Sequence, residues 1–312
     1  MLATLASADA VTWLSIIVKA LAYAATLSAV GSVLVLATLR EVSETGRASL
    51  RRTAVLSAVV SGVFTTLRLP VQASFLMGGT WNGALDPAIL GMVAESPLGT
   101  SIALRLVGLA FICMVLSRSR TGQLGALLGA LLACVSFALR GHTLSEPQVI
   151  LGSLITLHIL CLAFWVGAFA PLVQAAWSEP PARAGALAHE FGQKALWVVG
   201  LLVVSGGVML VLLGAVTPKA LSSAYGQMFA VKLILFAGVL ALAAVNKLSL
   251  TPALLASTPG AGAHLRRSIG IETAVVASIL VTTAAFTTVS SPPQTARSEQ
   301  ALSISPPVGL AL

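Results

Sequence analysis

Charge is what this sequence has least of: charged residues are 9% of its 312, while hydrophobic residues are 57% and the mean hydropathy is +0.97. A soluble globular domain carries roughly 25% charged residues, so the solvent of this chain is mostly lipid. Cysteine is scarce as well. Cys113, Cys134 and Cys161 all lie inside apolar runs, and three cysteines with none in a loop argue against a disulfide framework. No GxxxxGK[ST], HExxH, CxxC or GxSxG occurs, which argues against ATP-driven pumping by this chain alone. No catalytic carboxylate pair or nucleophile–base arrangement is visible, and the chain reads as not an enzyme. The pI near 10.1 invites nucleic acid, but the 18 Lys and Arg are scattered between apolar runs rather than gathered on a face. The partner they suit is the lipid bilayer. The N-terminus lacks the basic stretch and compact cleavage site of a secretory signal, so its first apolar run reads as a retained spanning helix.

What the chain does have is long apolar runs. A hydrocarbon core of ~30 Å needs about 20 apolar residues per helix. Runs at about 11–39, 54–77, 99–117, 123–139, 150–176, 195–216, 227–246 and 268–289 meet that length or nearly so. The expected fold is all-α, a polytopic integral membrane protein with a bundle of eight transmembrane helices over residues 1–292. The Pro- and Ser-rich residues 293–312 are expected to be a disordered tail. Orientation follows from the basic loops. Arg40, Arg47, Arg51, Arg52, Arg118, Arg120, Arg183, Lys194, Lys247, Arg266 and Arg267 fall in one set of loops, and only Arg140, Lys219 and Arg297 in the other. The first set is therefore cytoplasmic, with both termini on the outer, periplasmic side of a bacterial inner membrane.

On this frame His158, Cys161 and Trp165 fall at i, i+3 and i+7, on one helical face. His158 lies about 12 Å below the outer end of its run, and His142 sits at an outer mouth. Neutral imidazole and sulfur are ligands that select Cu(I). Sulfur is at hand in Met77, Met92 and Met228, the last beside Tyr225. Methionine and cysteine are also ordinary packing residues, whereas an ionisable side chain inside a membrane is costly enough to make function the default expectation. Trp165 is expected to pack against the histidine face and exclude water. His189 and His264 read as solvated histidines of cytoplasmic loops.

Five charges fall inside the runs: Lys19, Arg68, Arg105, Lys232 and Glu272. Snorkelling is the simple account of Arg105 and Lys232, and Glu272 is expected to pair with Arg266 or Arg267. The four bases, all in outer halves, would repel a copper cation. They suit an anion, or haem propionates, unless Asp86, Glu95 or Glu146 neutralises them.

The second half resembles the bacterial copper resistance protein D family. GHT at 141–143, LHILCLAFWVG at 157–167, YGQMFAVKLILF at 225–236 followed by Asn246-Lys247 and Pro252, and LRRSIGIE at 265–272 carry the resemblance, which extends over about residues 140–292. It implies copper transport across the inner membrane beside a periplasmic copper-binding protein of the copper resistance C type. It also implies His142 and His158 as ligands, with Lys232 and Glu272 as structural or gating charges. Two other readings stay open. One is a haem-binding redox membrane protein with His142 and His158 as axial ligands, although their depths differ by about 12 Å. The other is a non-catalytic membrane subunit or assembly factor.

Overall fold

The computed structural model describes residues 9–140, 147–213 and 224–289. Among these residues there are helices and no strands. The long elements are α1 (Ala10–Thr38), α2 (Glu44–Leu76), α4 (Pro97–Ile112), α5 (Arg120–Val135), α6 (Gln148–Ser178), α7 (Pro181–Leu212), α8 (Ala224–Val245) and α10 (Ala261–Val289). Two short helices, α3 (Pro87–Glu95) and α9 (Thr251–Leu255), lie between them. Seven helices are long and apolar enough to cross a membrane, so this is a multi-pass membrane protein. The apolar α5 stands where 123–139 is expected to cross, but it has 16 residues and falls short of that length.

Helix starts depart from the apolar runs in one direction. The first turns are polar and stay helical because capping side chains satisfy their free N–H groups. Asp9 Oδ1 accepts from Thr12 N at 2.7 Å, Ser43 Oγ from Gly46 N at 3.2 Å and Ser119 Oγ from Gly122 N at 3.1 Å. So α2 begins ten residues before its apolar run, and α7, with Pro181 as its first residue, also begins well ahead of its run. His189 and His264, expected in loops, therefore stand in the inner ends of α7 and α10. The segment expected as an outer loop, 78–99, also folds: α3 starts on Asp86, whose Oδ1 accepts from Ala88 N and Ile89 N.

The bundle is built around α1. Over half of its apolar window is buried (56%), against 6% for Phe229–Leu255 at the lipid-facing periphery. It packs on α2, α6, α10, α5 and α4. Where α1 crosses α6, Gly31 and Gly167 bring the backbones into contact; a Cβ on either would overlap the other helix's main chain. Gly108 of α4 and Gly129 of α5 meet in the same way. Small residues suit lipid-embedded contacts because there dispersion between close backbones, not exclusion of water, drives association.

Candidate functional site

Outer and inner follow the orientation implied by the basic loops. The stripe on α6 keeps its helical face, but its three side chains meet different neighbours. His158, half-buried, turns toward α7, with Nδ1 3.3 Å from Ser205 Oγ. A Cβ on Gly206 would stand 3.3 Å from the imidazole Cε1, so the ring lies against bare α7 backbone. Ser205 Oγ in turn donates to Leu202 O at 3.1 Å. In the tautomer that carries the proton on Nδ1, the ring donates to this hydroxyl and the Nε2 lone pair is left for a ligand. Cys161 is 5% exposed and lines an apolar cavity of about 250 Å³ with Leu34, Phe164 and Val198. Lys232 of α8 is half-buried, and its charge reaches His158.

One helix turn pair below His158, Trp165 borders a second cavity of about 360 Å³ between α6, α7, α8 and α10. Its polar lining is Asn246, Lys247, Thr251 and Glu272; Glu272 is 2% exposed, and its Oε1 accepts from Asn246 Nδ2. Asn246 opens a widened π-helical turn, Asn246–Leu250, that joins α8 to α9; such turns recur at functional sites. Its main-chain oxygen accepts from Thr251 Oγ1 at 2.8 Å. The Trp165 indole N–H reaches toward the Glu272 carboxylate without meeting hydrogen-bond geometry. Asn246 Oδ1 and Ser268 Oγ are also buried without partners.

This overturns the expected pairing of Glu272 with the arginines near its helix start. Arg266 donates to Ala176 O at 2.7 Å and lies over the Trp177 ring, 4.6 Å from its centroid. Arg267 is exposed. Glu272 lies further along α10 than both, and its carboxylate meets Asn246 of the π-helical turn that follows α8 instead.

Among the outer bases, Arg105 departs from the snorkelling expectation. Arg105 is 1% exposed and faces α5. Its Nε donates to Ser136 Oγ at 2.9 Å and its guanidinium lies 3.9 Å from the centroid of Phe137. Arg68, 6% exposed, lies 6.0 Å from the centroid of Tyr23, and Tyr23 is itself 5.4 Å from Phe137. Arg105 Nη1 and Nη2 and Arg68 Nη1 are buried without a hydrogen-bond partner. Lys19 is satisfied: Nζ donates to Thr288 Oγ1 at 2.7 Å and to Thr287 O at 3.2 Å, at the end of α10. Neither described carboxylate expected to neutralise these bases pairs with them. Asp86 caps α3, and Glu95 is exposed. Glu146 lies outside the described residues.

Bases at the inner rim, by contrast, end on backbone oxygen. Arg47 donates to the carbonyls of Leu36, Leu39, Arg40 and Val42 at 3.1–3.4 Å. Lys194 donates to Thr38 O and pairs with Glu190 at 2.6 Å, and Lys247 donates to Gly192 O at 3.1 Å. Glu190 meanwhile accepts from Arg40 N and Glu41 N, at 2.9–3.0 Å.

Of the other predicted ligands, Met77 at the end of α2 and Met92 on α3 are 46% and 57% exposed. His142 lies outside the described residues, as do the side chains of Tyr225 and Met228. His189 and His264 are exposed, His189 Nε2 within 2.8 Å of Gln193 Nε2. Among the described residues no three His, Cys, Asp or Glu side chains gather as a metal cluster. Sequence reasoning missed the roles of Ser205, Gly206 and Ser268, because small residues are common in every membrane helix. Asn246 was visible as a motif residue, but not as the partner of Glu272.

Two family models match the chain in tandem. The copper resistance protein D-like N-terminal domain covers residues 8–149, and copper resistance protein D covers residues 185–286. The chain belongs to the copper resistance protein D family. Copper transport protein CutJ of Bacillus subtilis (strain 168) is 27% identical over 261 residues, which is 79% of this chain and 47% of CutJ. The chain thus spans about half the length of that curated relative. No solved structure matches. Most of α6, with His158, Cys161 and Trp165, lies between the two matched regions, whereas the outer arginines and Glu272 lie inside them.

Proposed function

We propose that this family member carries copper, as Cu(I), across the bacterial inner membrane, receiving it at the outer face and passing it inward. The observation that carries this reading is the His158 imidazole. Its Nδ1 lies 3.3 Å from Ser205 Oγ, and a ring protonated at Nδ1 and donating to that hydroxyl would present Nε2 as a ligand. A soft, neutral nitrogen donor in the membrane suits Cu(I). Family membership and the likeness to a copper transport protein support copper as the cargo. His142 and a methionine, Met77, Met92 or Met228, would receive the ion first, from a periplasmic copper-binding protein of the copper resistance C type. Cys161, three residues from His158 on the same helix face, is a second soft donor there. Trp165 and the Glu272–Asn246 pair stand about 10 Å further along α6, where they would gate the inner half of the route. Transport needs no catalysis by the chain, and a gradient or hand-off between carriers would drive it.

The test is metal analysis with an optical spectrum on the purified full chain, loaded under reducing conditions. Near-stoichiometric copper is expected in the wild type, lost in His158→Ala and weakened about 10- to 100-fold in Ser205→Ala. A folded His158→Ala protein that keeps its copper would overturn the assignment of the ligand. A Soret band in the wild type would move the protein to the haem class.

A further inference from the structure

We propose that the outer half of the α1–α2–α4–α5 packing holds a binding site for a phosphate-type oxoanion, recognised by the guanidinium groups of Arg68 and Arg105. The proposal is independent of the copper route.

Arg105 is held at one end only. Its Nε is tied to Ser136, its plane rests on Phe137, and Ser136 is fixed in turn by donating to Ala133 O while its own carbonyl accepts from Ser101 Oγ at 2.6 Å. What remains is the forked Nη1–Nη2 edge, fully buried and without an acceptor. Across the Phe137–Tyr23 ring pair stands Arg68, its Nη1 likewise buried and unpartnered. The charges of Arg68 and Arg105 act on each other in the same region. Among the described residues no carboxylate is among the groups whose charge reaches Lys19, Arg68 or Arg105, and the ion pair formed, Lys194–Glu190, is at the inner rim.

Charged donors buried without acceptors are expensive, and a guanidinium does not escape by losing its proton. A multiply charged oxoanion answers both needs. Its oxygens match the planar fork of arginine, and two or more negative charges offset several positive ones. Chloride would offset charge without matching the fork. The same phosphate chemistry is available from inorganic phosphate at the periplasmic face and from the headgroup of an anionic phospholipid entering between helices.

The experiment uses the purified full chain in detergent. Thermal unfolding is followed while inorganic phosphate is titrated against chloride at equal ionic strength, and intact-complex mass spectrometry identifies any retained phospholipid. The variants are Arg105→Met, Arg68→Met and Arg105→Lys, the last keeping the charge but not the fork. A wild-type unfolding midpoint that rises with phosphate and not with chloride, weakened about 10- to 100-fold in midpoint concentration by either methionine variant and also by Arg105→Lys, supports the site with free phosphate as its source. A phosphate-insensitive wild type that retains an anionic phospholipid, lost in both methionine variants, supports the headgroup instead. A wild type that neither responds to phosphate nor retains such a lipid overturns the proposal, as does a response unchanged in folded Arg105→Lys. The wild-type arm stands even where a methionine variant fails to fold.

Discussion

The two ends of this bundle use the same residue types for opposite ends. At the inner rim Arg47, Lys194 and Arg266 reach backbone carbonyls close to helix termini, while Lys247 reaches Gly192 O within α7. In the outer half Arg68 and Arg105 sit mid-helix, buried, with Arg68 Nη1 and both Nη atoms of Arg105 left without an acceptor. The difference is geometric. The last turn of a helix exposes up to four carbonyls with no intrahelical partner, and cations are welcome there. In mid-helix most carbonyls already accept from the residue four ahead, so a cation finds few free backbone oxygens there. Lys19 shows the same rule from the outer side, since it is satisfied by meeting the end of α10. Inner bases thus serve the fold, while outer arginines remain available to a ligand.

Substitutions at the two ends sharpen or break this contrast. The largest loss is expected from Glu190→Ala, which strips the acceptor from Arg40 N, Glu41 N and Lys194 together. A cost of about 2–3 kcal/mol follows from charge-assisted hydrogen bonds of this kind, read by denaturant or thermal unfolding in detergent. Next comes Arg47→Met, which releases the carbonyls at the end of α1 and should cost about 1–3 kcal/mol. A neutral outcome for either would show that the rim contacts do not stabilise the fold. The smallest effect is expected from Arg105→Met without added anion. Replacing a buried, under-partnered charge by an apolar side chain of similar volume is often neutral or stabilising, so stability should stay within about 1 kcal/mol of wild type or rise. A loss as large as that of Arg47→Met would mean that Arg105 is structural, and the contrast between the ends would fail.

Reading the sequence alone found the helices better than their partners. Each apolar run coincides with a helix over most of its described residues, because hydropathy reports what must leave water, but among the described residues only seven helices are long enough to cross. The polar first turns of α2 and α7 were invisible to hydropathy and depended on Ser43 and Pro181. His158 stood out because imidazole is rare in a membrane. That it rests on Ser205 depends on α7 lying beside α6, 47 residues away in sequence. Glu272 was matched to the nearest arginines in sequence, yet its partner is Asn246, 26 residues earlier in the turn after α8.

Composition and periodicity by themselves determined that this chain lives in a bilayer, where its helices fall and which rare ionisable residues they carry, since each is a local consequence of transfer out of water. Only the tertiary structure decided which of those residues found a partner. Hydrogen bonds and ion pairs between helices are set by which faces meet, and close contacts such as Gly31 on Gly167 fix those faces without leaving a distinctive mark in the sequence.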